Sequence, residues 1–186
     1  MKTQNTLISS ILVLGLSAGP ALSQQNPAAH QHGRAQLQLV IDGEQIELLL
    51  QSPAYNLAGF EHRPETPEQQ AAIDSITQWL QQTAAVNTTD GQCFPVAANL
   101  HADWGQGQIH EHDHHHEDSP QQGAGHGDME IAQSLRCPGL QDSALFETGL
   151  LERFPAMEQL SVQWVGPQGQ GSARLSRGQN RFHPGQ

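Results

Sequence analysis

Nine consecutive residues, His110-Glu111-His112-Asp113-His114-His115-His116-Glu117-Asp118, all end in an imidazole nitrogen or a carboxylate oxygen. Such a run has no apolar position to bury, so no core strand or helix can pass through it. The rest of the chain must close its core on either side and leave the run as a connection. Imidazole and carboxylate are also the ligands of borderline divalent ions such as Zn2+. Five His in seven positions exceed what solubility asks of a linker built from Gly, Ser, Lys and Glu. His101 before the run and His126 after it, with Asp103 and Asp128 nearby, extend the ligand density to both flanks, and 104–127 reads as a flexible metal loop. The competing reading is a solvated linker whose metal affinity is incidental.

The start of the chain sets the compartment. Lys2 precedes the apolar stretch 7–16, which is too short for a stable membrane anchor and is followed by Gly19-Pro20 and the small-residue pattern Ala21-Leu22-Ser23. This predicts a secretory signal over 1–23, export to the periplasm and no membrane anchor after cleavage. Residues 24–186 then suit a single domain with a modest core. Removing Lys2 leaves seven basic residues, all Arg, against nineteen acidic ones, a formal charge of 7 − 19 = −12. That balance attracts cations and argues against nucleic acid as a partner. Cys93 and Cys137 are the two cysteines of an exported chain with no C-x-x-C spacing, so a disulfide is expected.

Apolar patterning outlines the holder. Leu37, Leu39 and Ile41, then Ile46, Leu48 and Leu50, alternate on either side of Asp42-Gly43, which predicts a hairpin with Ile41 facing Glu44 and Leu39 facing Ile46. Tyr55, Leu57 and Phe60 are expected to fold back onto the core. Thr66-Pro67-Glu68-Gln69 has the N-cap, proline and capping-box residues of a helix start, and Ile73, Ile76, Trp79 and Leu80 give that helix an apolar face. Asn87 to Gln92 reads as a turn.

Strands are expected over 93–102, with Phe94, Val96, Ala98 and Leu100 on one face, and over 128–137, with Met129, Ile131 and Leu135 alternating. Paired as a hairpin they make the metal loop their connection and bring the cysteines together. The cysteines meet only with a bulge near Pro95. Asp142 is expected to cap a second helix carrying Leu145, Phe146, Leu150 and Phe154. Leu160, Val162 and Trp164, then Ala173 and Leu175, suggest two final strands. The fold class is α+β, an antiparallel sheet with two covering helices and a His-rich loop inserted between two strands.

Several ordered motifs carry a resemblance. They are His-x-His-Gly-x-Ala at 30–35, Ser-Pro-Ala-x-Asn-x-x-Gly-Phe-Glu-His-x-Pro at 52–64, Thr-Pro-Glu-Gln at 66–69, the acidic His-rich insert with a Cys on each side, and Phe-Pro-x-x-Glu-x-Leu-x-Val-Gln at 154–163 followed by Trp164-Val165-Gly166-Pro167. Together they resemble the ZrgA family of exported bacterial proteins. The resemblance implies a periplasmic zinc-binding protein that assists zinc uptake alongside an ABC importer, with zinc ions and a periplasmic solute-binding protein or that importer as partners. The family's insert corresponds here to 110–118 with His126, and this copy is short. Because His30, His32, Glu61 and His62 lie inside the shared motifs, they are a candidate second, better-ordered metal site. Three His and a carboxylate suit tetrahedral zinc.

An enzyme is not expected. There is no G-x-S-x-G elbow, and the helical H-E-x-x-H of zincins is missing, since His110 to His114 falls in a loop. Glu117 and Asp118 are too exposed to be tuned as acid and base. The alternatives are a buffer for nickel, copper or excess zinc, and a structural or adhesion module with a solvated His-rich linker. Scarce Met argues against a soft Cu(I) site.

Overall fold

The structure, a computed structural model, describes residues 31–104, 127–140 and 144–184. Strands β1 (Arg34–Asp42) and β2 (Gln45–Pro53) form the expected hairpin, with Leu37, Leu39, Ile46, Leu48 and Leu50 buried. The register differs from the expected one by two residues: Ile41 faces Ile46, Leu39 faces Leu48 and Leu37 faces Leu50. Gly43, at φ +55°, takes the first loop position instead of the second, so the turn is Gly43-Glu44. A two-residue slip leaves every side chain on its own face, which is why the apolar pattern could not distinguish the two registers.

The segment after β2, expected as a loop, forms the short helix α1 (Ala54–Ala58), which buries Ala54, Asn56 and Leu57. Tyr55 stays 43% exposed and does not fold into the core. Helix α2 (Pro67–Gln82) starts as the sequence predicts: the Thr66 hydroxyl accepts from the Gln69 N–H, and the Gln69 side chain accepts from the Thr66 N–H. Its Ile76 and Leu80 are buried, and it packs over β4 (Phe94–Asp103).

The turn expected at 87–92 begins later, because β3 (Val86–Thr88) occupies its start. β4 and β5 (Asp128–Arg136) pair antiparallel as expected, with Met129, Ile131 and Leu135 buried. The register shifts between Pro95 and Ala97, where a bulge was required. Its consequence overturns the single apolar face expected for β4. Ala98 and Leu100 turn toward the core, whereas Phe94 and Val96 lie on the exposed side at 50% and 67%. The bulge places Cys93 and Cys137 together, and they form a disulfide across a sequence separation of 44.

The second covering helix is not observed. Phe146, Glu147 and Thr148 form β6 (Phe146–Thr148), and α3 (Leu150–Arg153) is one turn long. Asp142, its expected cap, lies outside the described residues. Tertiary pairing overrides the helical spacing here: β6 pairs with β3, the Thr148 hydroxyl donates to Ala85 O at 2.7 Å, and Phe146 stacks on Phe182 at 5.7 Å. The last strands are β7 (Gln159–Gly166), β8 (Gly169–Ser176) and a short β9 (Arg181–Phe182) that the sequence did not suggest.

The strands make a six-stranded sheet, β4-β5-β2-β1-β7-β8, and a three-stranded sheet, β3-β6-β9. β1 and β7 run parallel, so the larger sheet is mixed where an antiparallel one was expected. The fold is β-rich α+β, and both sheets contribute to one buried apolar cluster. One end of β4 and β5 is joined by the disulfide, and the other opens into the 104–127 connection.

Candidate functional site

At the open end of the β4–β5 hairpin the family-like motifs converge. Pro53 pairs with Asp128, and Ala54 N–H donates to Gly127 O at 2.8 Å, so α1 begins against the last residue of the connection. Asn56, 2% exposed, then reaches the start of β1. Its Oδ1 accepts from Gly33 N–H at 2.8 Å, while its Nδ2 donates to Arg34 O at 2.8 Å and to Ser52 Oγ at 3.1 Å. A carboxamide suits this position because it accepts and donates at once. Gly33 lies at φ +79°, and its carbonyl accepts from the backbone N–H of Glu158 and Gln159. The turn bearing His32 is thereby held to both α1 and β7.

His32 stands on that turn with its ring stacked on Tyr55, centroids 4.9 Å apart. Its Nε2 is 2.8 Å from Glu61 Oε1, a contact between residues 29 apart in the chain. The Glu61 side chain is 18% exposed and that of His32 54%. Next to Glu61, Phe60 stacks on Trp104, the residue that follows β4, with centroids 5.9 Å apart. Gly127 is buried on the other side of the mouth, and a Cβ at that position would run into the Glu61 carbonyl and the Trp104 ring. Both ends of the connection are therefore packed against the loop that carries Glu61.

Other ligand types lie at the same end of the sheet. His62 Nδ1 is 2.9 Å from Arg63 O, and its ring faces Phe60 at 5.4 Å. His101 is on the exposed face of β4, directly across from Glu130, which accepts from Gln51 Nε2 at 3.3 Å. Asp103 faces Asp128 on the next rung of that face. Among the described residues no three His, Cys, Asp or Glu side chains form a group that could hold a metal ion. The sequence candidates His30, His110, Glu111, His112, Asp113, His114, His115, His116, Glu117, Asp118 and His126 lie outside the described residues. Reading the sequence had missed Asn56 and Gly127 as the parts that hold the pair, and Glu130 as the neighbour of His101. The signal for Asn56 was present in Ser-Pro-Ala-x-Asn; Gly127 and Glu130 needed the strand register.

Residues 29–184 match the family described as ZrgA family zinc uptake protein. The chain belongs to the ZrgA family. The match runs from the turn bearing His32 to the residues after β9, so it takes in the described fold and the connection alike. No curated protein matches the chain. Membership in the ZrgA family gives the chain a role in zinc uptake and an association with zinc, and it points to no reaction. The disulfide fits an oxidising extracytoplasmic compartment.

Proposed function

We propose that this ZrgA family member is a periplasmic protein that captures Zn2+ on the connection between β4 and β5 and passes it toward an ABC importer. One observation carries the reading. A chain segment with nine consecutive imidazole and carboxylate residues leaves and re-enters the fold at neighbouring strands, beside the contact of His32 with Glu61. The ligands are drawn from His110, Glu111, His112, Asp113, His114, His115, His116, Glu117 and Asp118, with His101 and His126 at the flanks. Neutral imidazole and carboxylate together suit Zn2+ better than Ca2+ or Mg2+, which favour oxygen alone. The signal expected at 1–23 and the disulfide support a periplasmic location, and the acidic charge draws cations to the surface.

Deleting residues 110–118 tests this. All described strands and helices lie outside that segment, so the metal-free melting temperature is expected to stay within a few degrees while the number of zinc ions bound at equilibrium falls. An unchanged zinc count refutes capture by the run.

A further inference from the structure

We infer that the outward face of the six-stranded sheet is an interface between two copies of this chain, packed face to face about a two-fold axis that runs parallel to the strands over the β2–β5 boundary. The inference is independent of the zinc reading.

The first observation is where exposed apolar side chains collect. Among the described residues six large ones are exposed, and four of them, Val40, Phe94, Val96 and Val165, belong to this face at the end nearest the disulfide. Val40 and Val165 are direct neighbours on β1 and β7. Val96 lies at the bulge of β4, three strands from β1 in the order β4-β5-β2-β1. At about 4.8 Å per strand spacing, the two apolar spots are roughly 14 Å apart. A sheet face left to water alternates polar residues through such positions.

The second observation is that the face complements itself. The β2–β5 boundary is the midpoint of β4-β5-β2-β1, so a two-fold rotation there lays β1 of one copy over β4 of the other, and β2 over β5. Because the axis follows the strands, each rung meets the same rung. Val40 is aligned with Glu47, Ser134 and Ala97, so it lands on Ala97 and the adjoining Val96 of the second copy. Gln38, Leu49, Ala132 and Asn99 share the next rung, which sets Leu49 on Ala132 and Gln38 on Asn99, amide to amide. Farther on, Gln36 meets His101 and Gln51 meets Glu130. Arg34, two residues before Gln36, comes over Asp103.

Apolar thus falls on apolar, the central rung carries no charge, and the basic start of β1 meets an acidic strand end. An isologous interface requires this self-complementarity, with charges kept to its margin. Packed sheets cross at about 30°, so the match is closest around Leu49 and Ala132 and the corner charges act at longer range. The area is sufficient. Four strands about 4.8 Å apart, each nine residues at about 3.3 Å, cover on the order of 1,100 Å2 over both copies, against roughly 1,000 Å2 for a specific interface.

Sedimentation equilibrium in about 0.15 M salt, with a chelator present so that no metal bridges the copies, is expected to show a concentration-dependent dimer. Val40→Lys puts a charge into the apolar contact at a side chain that is half exposed in the single copy. It is expected to raise the dissociation constant at least ten-fold while the urea midpoint of the monomer stays unchanged. The register is tested by mixing Gln38→Cys with Asn99→Cys and adding a thiol cross-linker of about 10 Å, the spacing of packed sheets. The mixed dimer is expected to cross-link, and either variant alone is not, since like positions lie roughly 14 Å apart across the axis before the sheet spacing is added. A chain that stays monomeric, a dimer that needs zinc, a dimer indifferent to Val40→Lys, or cross-linking as strong in the single variants as in the mixture overturns the interface.

Discussion

Gly127 lies so close to Glu61 that a Cβ built on it would meet the Glu61 carbonyl oxygen at 2.6 Å and the Trp104 ring at 3.0 Å. The carbonyl is backbone and cannot swing away, so Gly127→Ala must move the strand entry or the Glu61 loop. Overpacking of this kind costs about 1–3 kcal/mol. The urea midpoint is expected to fall accordingly. An unchanged midpoint refutes the close approach.

Asn56→Ala removes a side chain that satisfies Gly33 N–H and Arg34 O in a buried place. Each backbone group left without a partner costs about 1–3 kcal/mol, so a loss of about 2–4 kcal/mol is expected by urea denaturation. Asn56→Asp is the sharper variant. It keeps the acceptor for Gly33 but cannot donate to Arg34, and it sets a carboxylate against that carbonyl. It is expected to destabilise at least as much as alanine; wild-type stability would rule out the amide clamp.

Gln133 shows where the apolar pattern misleads. It occupies the inward position between Ile131 and Leu135 and is 1% exposed. Its Nε2 donates to Leu80 O at 2.6 Å and to Thr83 O at 2.8 Å, and its Oε1 accepts from Ala85 N–H at 2.9 Å. One amide thus closes the C-terminal end of α2 onto the sheet. Gln133→Leu matches the local alternation better and is nevertheless expected to lose about 2–4 kcal/mol, because it strands those backbone groups. A gain in stability on this substitution would show that apolar burial outweighs the cap.

Locally encoded features were readable in the sequence and features set by pairing were not. The capping box at Thr66, the alternation of β1 and β2 and the need for a bulge at Pro95 depend on residues close in the chain or on a cysteine constraint. The parallel contact of β1 with β7 and the diversion of Phe146 into a strand depend on which edges are available to pair, and periodicity carries no record of that. The same division holds for the site. His32 and Glu61 were visible as ligand types within motifs, but their contact across 29 residues follows from Asn56 fastening β1 to α1. Nothing in the sequence separated them from His62, whose ring is turned to Phe60.

Acid sensitivity has one local contributor whose sign is set. Glu68, in the first turn of α2, has its carboxyl held below the ordinary value, first by its own backbone N–H and then by the Thr66 hydroxyl. A depressed folded-state pKa adds stability above the unfolded value and loses it as pH falls through the folded one. Stability is therefore expected to decline as pH drops below about 4.5, and Glu68→Gln to make that decline shallower. The change is small because the side chain is fully exposed. Urea midpoints taken from pH 5 to pH 3 are the measurement, and parallel curves for the two proteins would count against the assignment.

The disulfide offers the largest single effect. Cys93 and Cys137 close a segment with a sequence separation of 44, and constraining such a loop in the unfolded chain is worth about 3–4 kcal/mol in the chain-entropy account. Both cysteines are buried beside the bulge that realigns β4 on β5, so breaking the bond also frees the edge strand at the end remote from the connection. Reduction, or Cys93→Ser with Cys137→Ser, is expected to lower the unfolding free energy by that amount and to shift the urea midpoint down in proportion. The two ends of the hairpin are then predicted to respond differently. Hydrogen exchange should quicken at Phe94 to Ala98, while the rungs around His101 and Glu130, anchored through β2, keep most of their protection. Equal midpoints with and without reductant, once intact mass confirms free thiols, would remove the bond from the list of what holds the hairpin. Uniform loss of protection along β4 would instead mean that the bond and the sheet register stand or fall together.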